Sequence, residues 1–235
     1  TNKRPIAAEK IIIACGHSAY EFFKTLSKRG VYLENKDFAI GFRVEHRQEF
    51  IDHNQYKEYY DLLSNNPSEY FLRAKTSLNK GVYSFCMCPG GEVINATFKK
   101  GHLFTNGMSY HDRASKIANS AILIQVSKED YGDELFGGLE FIDHYERKAF
   151  GIDGTYKALA QNIKDYLNDE LNPLIFESTY KMKTKLYNFN DFFAPNLNKG
   201  FHEALRHFDH LMPGFIEKGI MVGPETRSSA PLRIK

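Results

Sequence analysis

The stretch KIIIACGHSAYEFF, residues 10–23, decides how the chain is read. Residues 10–15 form a short apolar run, the kind that is covered on both faces in a parallel sheet flanked by helices. Gly16, His17 and Ser18 then read as a turn. Beyond it Ala19, Phe22, Phe23 and Leu26 share one helical face; Ser18 and Glu21 have capping-box spacing, and Lys28, Arg29 and Gly30 suit a helix end. The unit is strand, turn, helix. A doubly wound sheet needs several such units, and the sequence holds one; it has no GxGxxG after a strand and no GxxxxGK(S/T). A lone parallel strand leaves backbone groups unpaired. Its neighbours are therefore expected outside this chain or among antiparallel strands farther along. The chain opens on Thr1, and residues 231–235 are extended without a cap. Both ends are expected to be edges of a segment of a longer protein.

With 235 residues and 42% hydrophobic content the chain can bury a full core. Its 31 Lys and Arg against 29 Asp and Glu give a net charge of +2, without the basic excess that marks a nucleic-acid binder. No apolar stretch approaches the roughly 20 residues of a membrane span, and no signal peptide is legible. Three cysteines, Cys15, Cys86 and Cys88, do not make a secreted disulfide framework, so a reduced, cytoplasmic protein is expected.

Farther along, residues 37–46 (DFAIGFRVEH) partly alternate around Gly41, a strand with a possible bulge. Residues 71–76, 81–86, 92–97, 102–109 and 119–126 read as further strands, with Pro89-Gly90-Gly91 as a turn. Residues 56–66 are helical or loop. Residues 139–150 and 201–212 carry one-sided apolar stripes and read as helices, whereas 168–198 is aromatic but aperiodic, an irregular covering segment. The fold class is α+β: a mixed, largely antiparallel sheet with added helices, entered from a βα stub of a parallel Rossmann-type sheet.

Chemistry-bearing residues are few. Cys86 and Cys88 lie two apart, so in a regular strand both thiols face one side. They are either small buried hydrophobes, a redox or cofactor-facing pair, or part of a metal site that still needs two ligands. His202, His207 and His210 fall off the apolar face of their helix. Arg43, Glu45 and His46 alternate with apolar residues, which suits a solvent-facing edge or else a substrate pocket. His17 sits where a helix N-terminus favours an anion. Thr226, Arg227, Ser228 and Ser229 are either a polar loop or a set of donors for phosphate or carboxylate.

The segments IIIACGHSAYEFF, FAIGFRVEH, YSFCMCPGGEV, NGMSYHDR with NSA, and ETRSSAPLRI resemble, in order, the motifs of a poorly characterised bacterial family of FAD-dependent dehydrogenases. They span residues 11–234. That resemblance implies the two-dinucleotide-binding flavoprotein class, in which a Rossmann half with GxGxxG precedes an inserted domain and a Gly-rich segment closes over the flavin. It implies that residues 1–34 are a stub of the FAD-binding domain, 35–220 the inserted substrate or cap domain, and 221–235 the return. Gly16, His17, Ser18, Thr226, Arg227, Ser228 and Ser229 would adjoin the cofactor. Cys86 and Cys88 would face the isoalloxazine, and Arg43, Glu45, His46, Asn106 and Arg113 are substrate-pocket candidates. The expected function is the substrate side of an FAD-dependent oxidoreductase, flavin-free and inactive alone. The partners would be a small-molecule substrate and the missing FAD-domain segments, with neither nucleic acid nor membrane. The alternatives are a non-enzymatic ligand- or protein-binding module, or a thiol or metal site on Cys86 and Cys88. Exposed stub surface is expected to drive self-association.

Overall fold

A computed structural model describes residues 7–63 and 65–235. The strands are β1 (Leu33–Asn35), β2 (Phe38–Arg47), β3 (Arg73–Lys75), β4 (Gly81–Cys88), β5 (Gly91–Asn95), β6 (Thr105–Ser109), β7 (Ile117–Val126), β8 (Ala158–Asn162), β9 (Thr184–Leu186), β10 (Gly219–Glu225) and β11 (Leu232–Ile234). The helices are α1 (Tyr20–Lys28), α2 (Gln48–Tyr56), α3 (Tyr60–Leu63), α4 (Lys128–Tyr131), α5 (Gly137–Gly151), α6 (Ile163–Asn168) and α7 (Pro195–Leu211). The main sheet has seven strands in the order β3-β4-β7-β2-β10-β8-β9. Every neighbour pair in it is antiparallel except β8 with β9. The expected α+β class with a mixed, largely antiparallel sheet is what forms.

The spine is β2 against β7, ten consecutive pairs from Phe38↔Val126 to Arg47↔Ile117. Strand alternation sends Phe38, Ile40, Phe42 and Val44 to one face, where they join Ile122, Ile124, Leu159 and Met221. There α7 lays down Leu197, Phe201, Ala204, Leu205 and Phe208, and α5 adds Ile142, Tyr145 and Ala149. Phe42 sits in the middle of an aromatic nest, its ring 4.8 to 6.2 Å from those of Phe201, Phe189, Phe193 and Tyr166. Each such fully buried ring contributes roughly 2–3 kcal/mol of transfer free energy. The opposite face carries Ala39, Gly41, Arg43 and Glu45, and the β5–β6 hairpin forms a separate two-stranded sheet.

Several expectations are corrected. Residues 10–15 form no strand: they pair with nothing among the described residues, and Ile11, Ile12 and Ile13 are exposed at 81%, 92% and 52%. An all-apolar run states a preference for burial, but a strand exists only where another strand supplies its hydrogen bonds. The turn at Gly16 does form, with φ +76°, yet α1 is capped at Ala19 and Ser18 makes no cap bond. Residues 168–198 contain β9 and the first turn of α7 besides irregular structure. Strands β8 and β10 and helices α2 and α6 were not legible in advance. Among the described residues no helix is long and apolar enough to cross a membrane.

The bulge expected at Gly41 does not form in β2, which pairs with β7 without a break; the register shift lies on the partner strand β10, where Gly223 and Pro224 oppose Phe42. Gly41 itself is required for another reason: a Cβ there would lie 1.9 Å from the Ile122 carbonyl oxygen and 3.2 Å from Leu123 Cα. Both are backbone atoms of the adjoining strand. Gly41→Val is expected to cost about 3 kcal/mol or more, at the upper end of overpacking costs, measured as a lowered denaturation midpoint with an unchanged m-value.

Candidate functional site

On the second sheet face the side chain of Arg43 is fully buried, and its donors are divided among three elements. Nη1 donates to the Cys86 carbonyl of β4 at 2.8 Å and Nη2 to Asn106 Oδ1 of β6 at 2.8 Å. Nε and Glu225 Oε2 of β10 form an ion pair at 2.6 Å whose angle is poor for a hydrogen bond. Burial pushes the Glu225 carboxyl upward, and Arg43 opposes that shift. Asn119, level with Cys88 in the β4–β7 register, is 1% exposed, and neither atom of its amide has a partner among the described residues. The solvent-edge reading of Arg43, Glu45 and His46 is therefore overturned: β2 is the centre of the sheet and all three are buried.

Glu45 and His46 serve different neighbours. Glu45 Oε1 accepts the backbone N–H of Thr179 at 3.0 Å and also its hydroxyl, while Oε2 has no well-aligned hydrogen bond among the described residues. Burial raises its pKa, and hydrogen bonds from Ser178 and Thr179 oppose that. His46 points to the apolar face, between the Phe50 and Phe215 rings, with Nε2 2.8 Å from the Phe215 carbonyl. Burial lowers its pKa to about 4, against the raising effect of that carbonyl. Arg113 is elsewhere: it reaches Glu69 at 3.2 Å on the exposed surface.

The strand alternation expected of Cys86 and Cys88 is broken. Phe85 pairs with Ala121 but Cys88 with Asn119, so Cys86 and Met87 together oppose Ser120. Cys86 has φ +43° and is exposed, whereas Cys88 is buried. Burial raises both thiol pKa values, with Arg43 opposing. Among the described residues no three His, Cys, Asp or Glu side chains gather as a metal site.

The return segment crosses from this cluster to a second one. Thr226 Oγ1 donates to Glu146 Oε1 at 2.8 Å; Arg227 donates to both Glu146 oxygens, from Nε at 2.6 Å and Nη2 at 2.8 Å. The Arg227 guanidinium also lies 4.5 to 4.7 Å from the ring centres of Phe98, Phe104 and Tyr20. Its Nη1 and the Tyr20 hydroxyl are buried without partners among the described residues. His17 abuts the same group: its pKa is lowered by burial first and by the Arg227 charge second, with the Arg227 backbone opposing. Thus the Gly16-His17-Ser18 turn and the Thr226–Ser229 segment, far apart in sequence, meet at one corner. Within it Ser228 donates to the Ala39 carbonyl at 2.7 Å, and Ser229 is half-buried. A cleft of about 720 Å³ opens beside this corner, lined by Tyr20, Lys24, Lys99, Asp143, Arg147 and Lys148 among others. Burial works to raise Asp143, but hydrogen bonds and charge from Lys99 and His102 bring it down to about 2.

The sequence pattern had no means of finding Glu146 or Asn119. Both sit where an apolar residue would serve equally well by periodicity, and only the partner or the missing partner marks them.

Comparison with known proteins gives two matches. Residues 37–228 match the family described as "FAD-dependent protein, C-terminal domain-like". A protein of Clostridium beijerinckii described as uncharacterized is 37% identical over 239 residues, covering 99% of this chain. The chain spans only 45% of that relative's length.

Both the Arg227–Glu146 pair and the buried His46 imidazole are open to test. Arg227→Met strands Glu146 in the interior and is expected to cost about 3–5 kcal/mol; adding Glu146→Leu recovers most of it, read by urea denaturation. His46 binds a proton more readily unfolded (6.5) than folded (about 4), so its stability contribution is present above pH 6.5 and lost as pH falls toward 4. Over that window the loss is about 3 kcal/mol at roughly 1.4 kcal/mol per pH unit. His46→Gln is expected to flatten the stability profile there.

Proposed function

We propose, from the premise that this chain belongs to the FAD-dependent protein, C-terminal domain-like family, that it is the substrate-side domain of an FAD-dependent oxidoreductase. In this reading residues 35–220 are an inserted domain, and residues 1–34 and 221–235 adjoin the flavin-binding part. The observation that carries it is the convergence of the Gly16-His17-Ser18 turn with Thr226–Ser229 around Arg227. The pairing of β1 with β11, Leu33↔Ile234 to Asn35↔Leu232, supports the same layout, since the chain enters and leaves the domain side by side.

The residues at this corner fit an acceptor-rich group such as FAD. Arg227 Nη1 is a permanently charged donor, buried and unpaired among the described residues, and the Tyr20 hydroxyl beside it is likewise unpaired. His17, its pKa lowered by desolvation and by the Arg227 charge, bonds the Arg227 backbone through one ring nitrogen and leaves the other for the group. Arg227, His17, Ser18 and Ser229 would hold the group, while Glu146 and Thr226 fix the guanidinium in place. Flavin supplies hydride or electron transfer when bound. The chain contributes orientation and exclusion of water: Phe98, Phe104 and Tyr20 wall the guanidinium from solvent, which strengthens its attraction for an acceptor. Arg43, Glu225 and Asn106 do not face this corner and act by fixing the β5–β6 hairpin over the sheet. The substrate class is a small molecule.

Because the sequence has no GxGxxG, tight flavin binding is assigned to the parent protein. The test compares this chain with a form extended at both ends, following flavin absorbance and fluorescence as FAD is added. The extended protein is expected to take up FAD and the shorter chain not. In the extended form His17→Ala is expected to weaken binding about tenfold, the worth of one hydrogen bond. An extended protein that rejects FAD overturns the reading.

A further inference from the structure

We propose that Cys86 and Cys88 form a two-electron redox pair, cycling between a dithiol and an intrachain disulfide within β4. The first argument is positional. Cys86 occupies the left-handed residue of the β4 bulge, with φ +43°. That position in a bulge is ordinarily glycine, because a Cβ there is strained. A cysteine held at such a place is costly to the fold, so packing does not explain it.

The second argument is what holds it. The Cys86 carbonyl accepts from Arg43 Nη1 at 2.8 Å and from the Cys88 thiol at 3.3 Å. The Cys88 sulfur is thus turned back over residue 86 rather than away from it. Two residues apart, Cys86 and Cys88 are separated by at most about 7 Å between Cα atoms even where the chain is fully extended, and the bulge between them falls short of full extension, which brings them toward the disulfide limit of about 6.8 Å. Exposure is divided as a redox pair requires, with Cys86 open to an attacking oxidant and Cys88 buried behind it to resolve the product.

The third argument is the surroundings. Asn119 faces Cys88 across the ladder, and its buried amide has no partner among the described residues. Room is kept by two glycines: a Cβ on Gly107 would fall 2.1 Å from Asn119 Oδ1, and one on Gly91 would fall 2.9 Å from Cys88 Cβ. Burial raises both thiol pKa values, with the Arg43 charge opposing, so the reduced pair rests as thiols. On oxidation two S–H bonds break, one S–S bond forms, two protons leave and two electrons pass to an acceptor. The family supplies an acceptor of the flavin class; a small disulfide serves as the probe. Oxidised glutathione would be attacked by Cys86 with loss of one glutathione, and Cys88 would then displace the second.

The test uses the full chain carrying Cys15→Ser, equilibrated in glutathione buffers of graded ratio, acid-trapped, alkylated and weighed by mass spectrometry. The expected result is loss of two hydrogens along a two-electron Nernst curve, with residues 86 and 88 linked. Cys88→Ser is expected to halt at a glutathione adduct on Cys86. A stable adduct on Cys86 with Cys88 present, or free thiols under fully oxidising conditions, overturns the proposal. Cys86→Gly separates chemistry from packing: it is expected to raise the thermal midpoint, and a lowered midpoint counts against a redox role. No flavin enters these measurements, so their failure leaves the FAD reading untouched.

Discussion

The arrangement depends on one buried cation. Arg43 stands on the central strand with no access to water, and a guanidinium cannot shed its proton to escape. Its charge must be met within the protein, and the partners come from β4, β6 and β10. Removing a charge from water costs several kcal/mol unless it is well paired. The sheet, the covering hairpin and the return strand are thus held to positions that satisfy a single side chain. The contacts specify placement more than they add stability, since an apolar side chain of similar volume would fill the same space more cheaply.

Glu225 and Arg227 extend that logic along the chain. Two residues apart at the end of β10, they serve different partners: Glu225 meets Arg43 inside the sheet, and Arg227 meets Glu146 on α5. The segment between two buried ion pairs has little freedom. It carries the Gly16-His17-Ser18 turn against it, so the corner is preorganised by the Arg227–Glu146 pair within it and the Arg43–Glu225 pair just before it.

The fold was legible wherever hydrophobic period and turn chemistry agreed. β2, β4, β7 and α5 emerge within two residues of their expected bounds, α7 begins six residues before its expected start, and Pro89-Gly90-Gly91 turns as expected. β8 was invisible because ALAQN joins small residues to amides and shows no alternation; β10 was hidden by Gly223 and Pro224, which read as breakers. Helix α2, QEFIDHNQY, is mostly polar and offers no clear stripe. The site was harder. Arg43 and Glu45 alternate with apolar residues as a wet strand does, and a sequence does not distinguish water from a buried partner supplied far along the chain, Glu225 for the one and Thr179 for the other. Cys86 and Cys88 looked like a regular i, i+2 pair because a bulge depends on the register of the neighbouring strand. Residues 10–15 read as a buried strand because they are apolar, yet among the described residues no strand pairs with them and they are exposed.

The pairing of β1 with β11 has one more consequence. Opposed residues in an antiparallel pair lie only about 5 Å apart, so the two ends of everything between them sit within the span of a tight loop. On the inserted-domain reading proposed above, such a body is a cassette. It can be spliced into a surface turn of a host protein, or removed from it, without stretching the host's backbone. Selection can then act on the excursion while the scaffold that carries it stays unchanged, and new specificities become reachable by exchanging one block rather than rebuilding a fold.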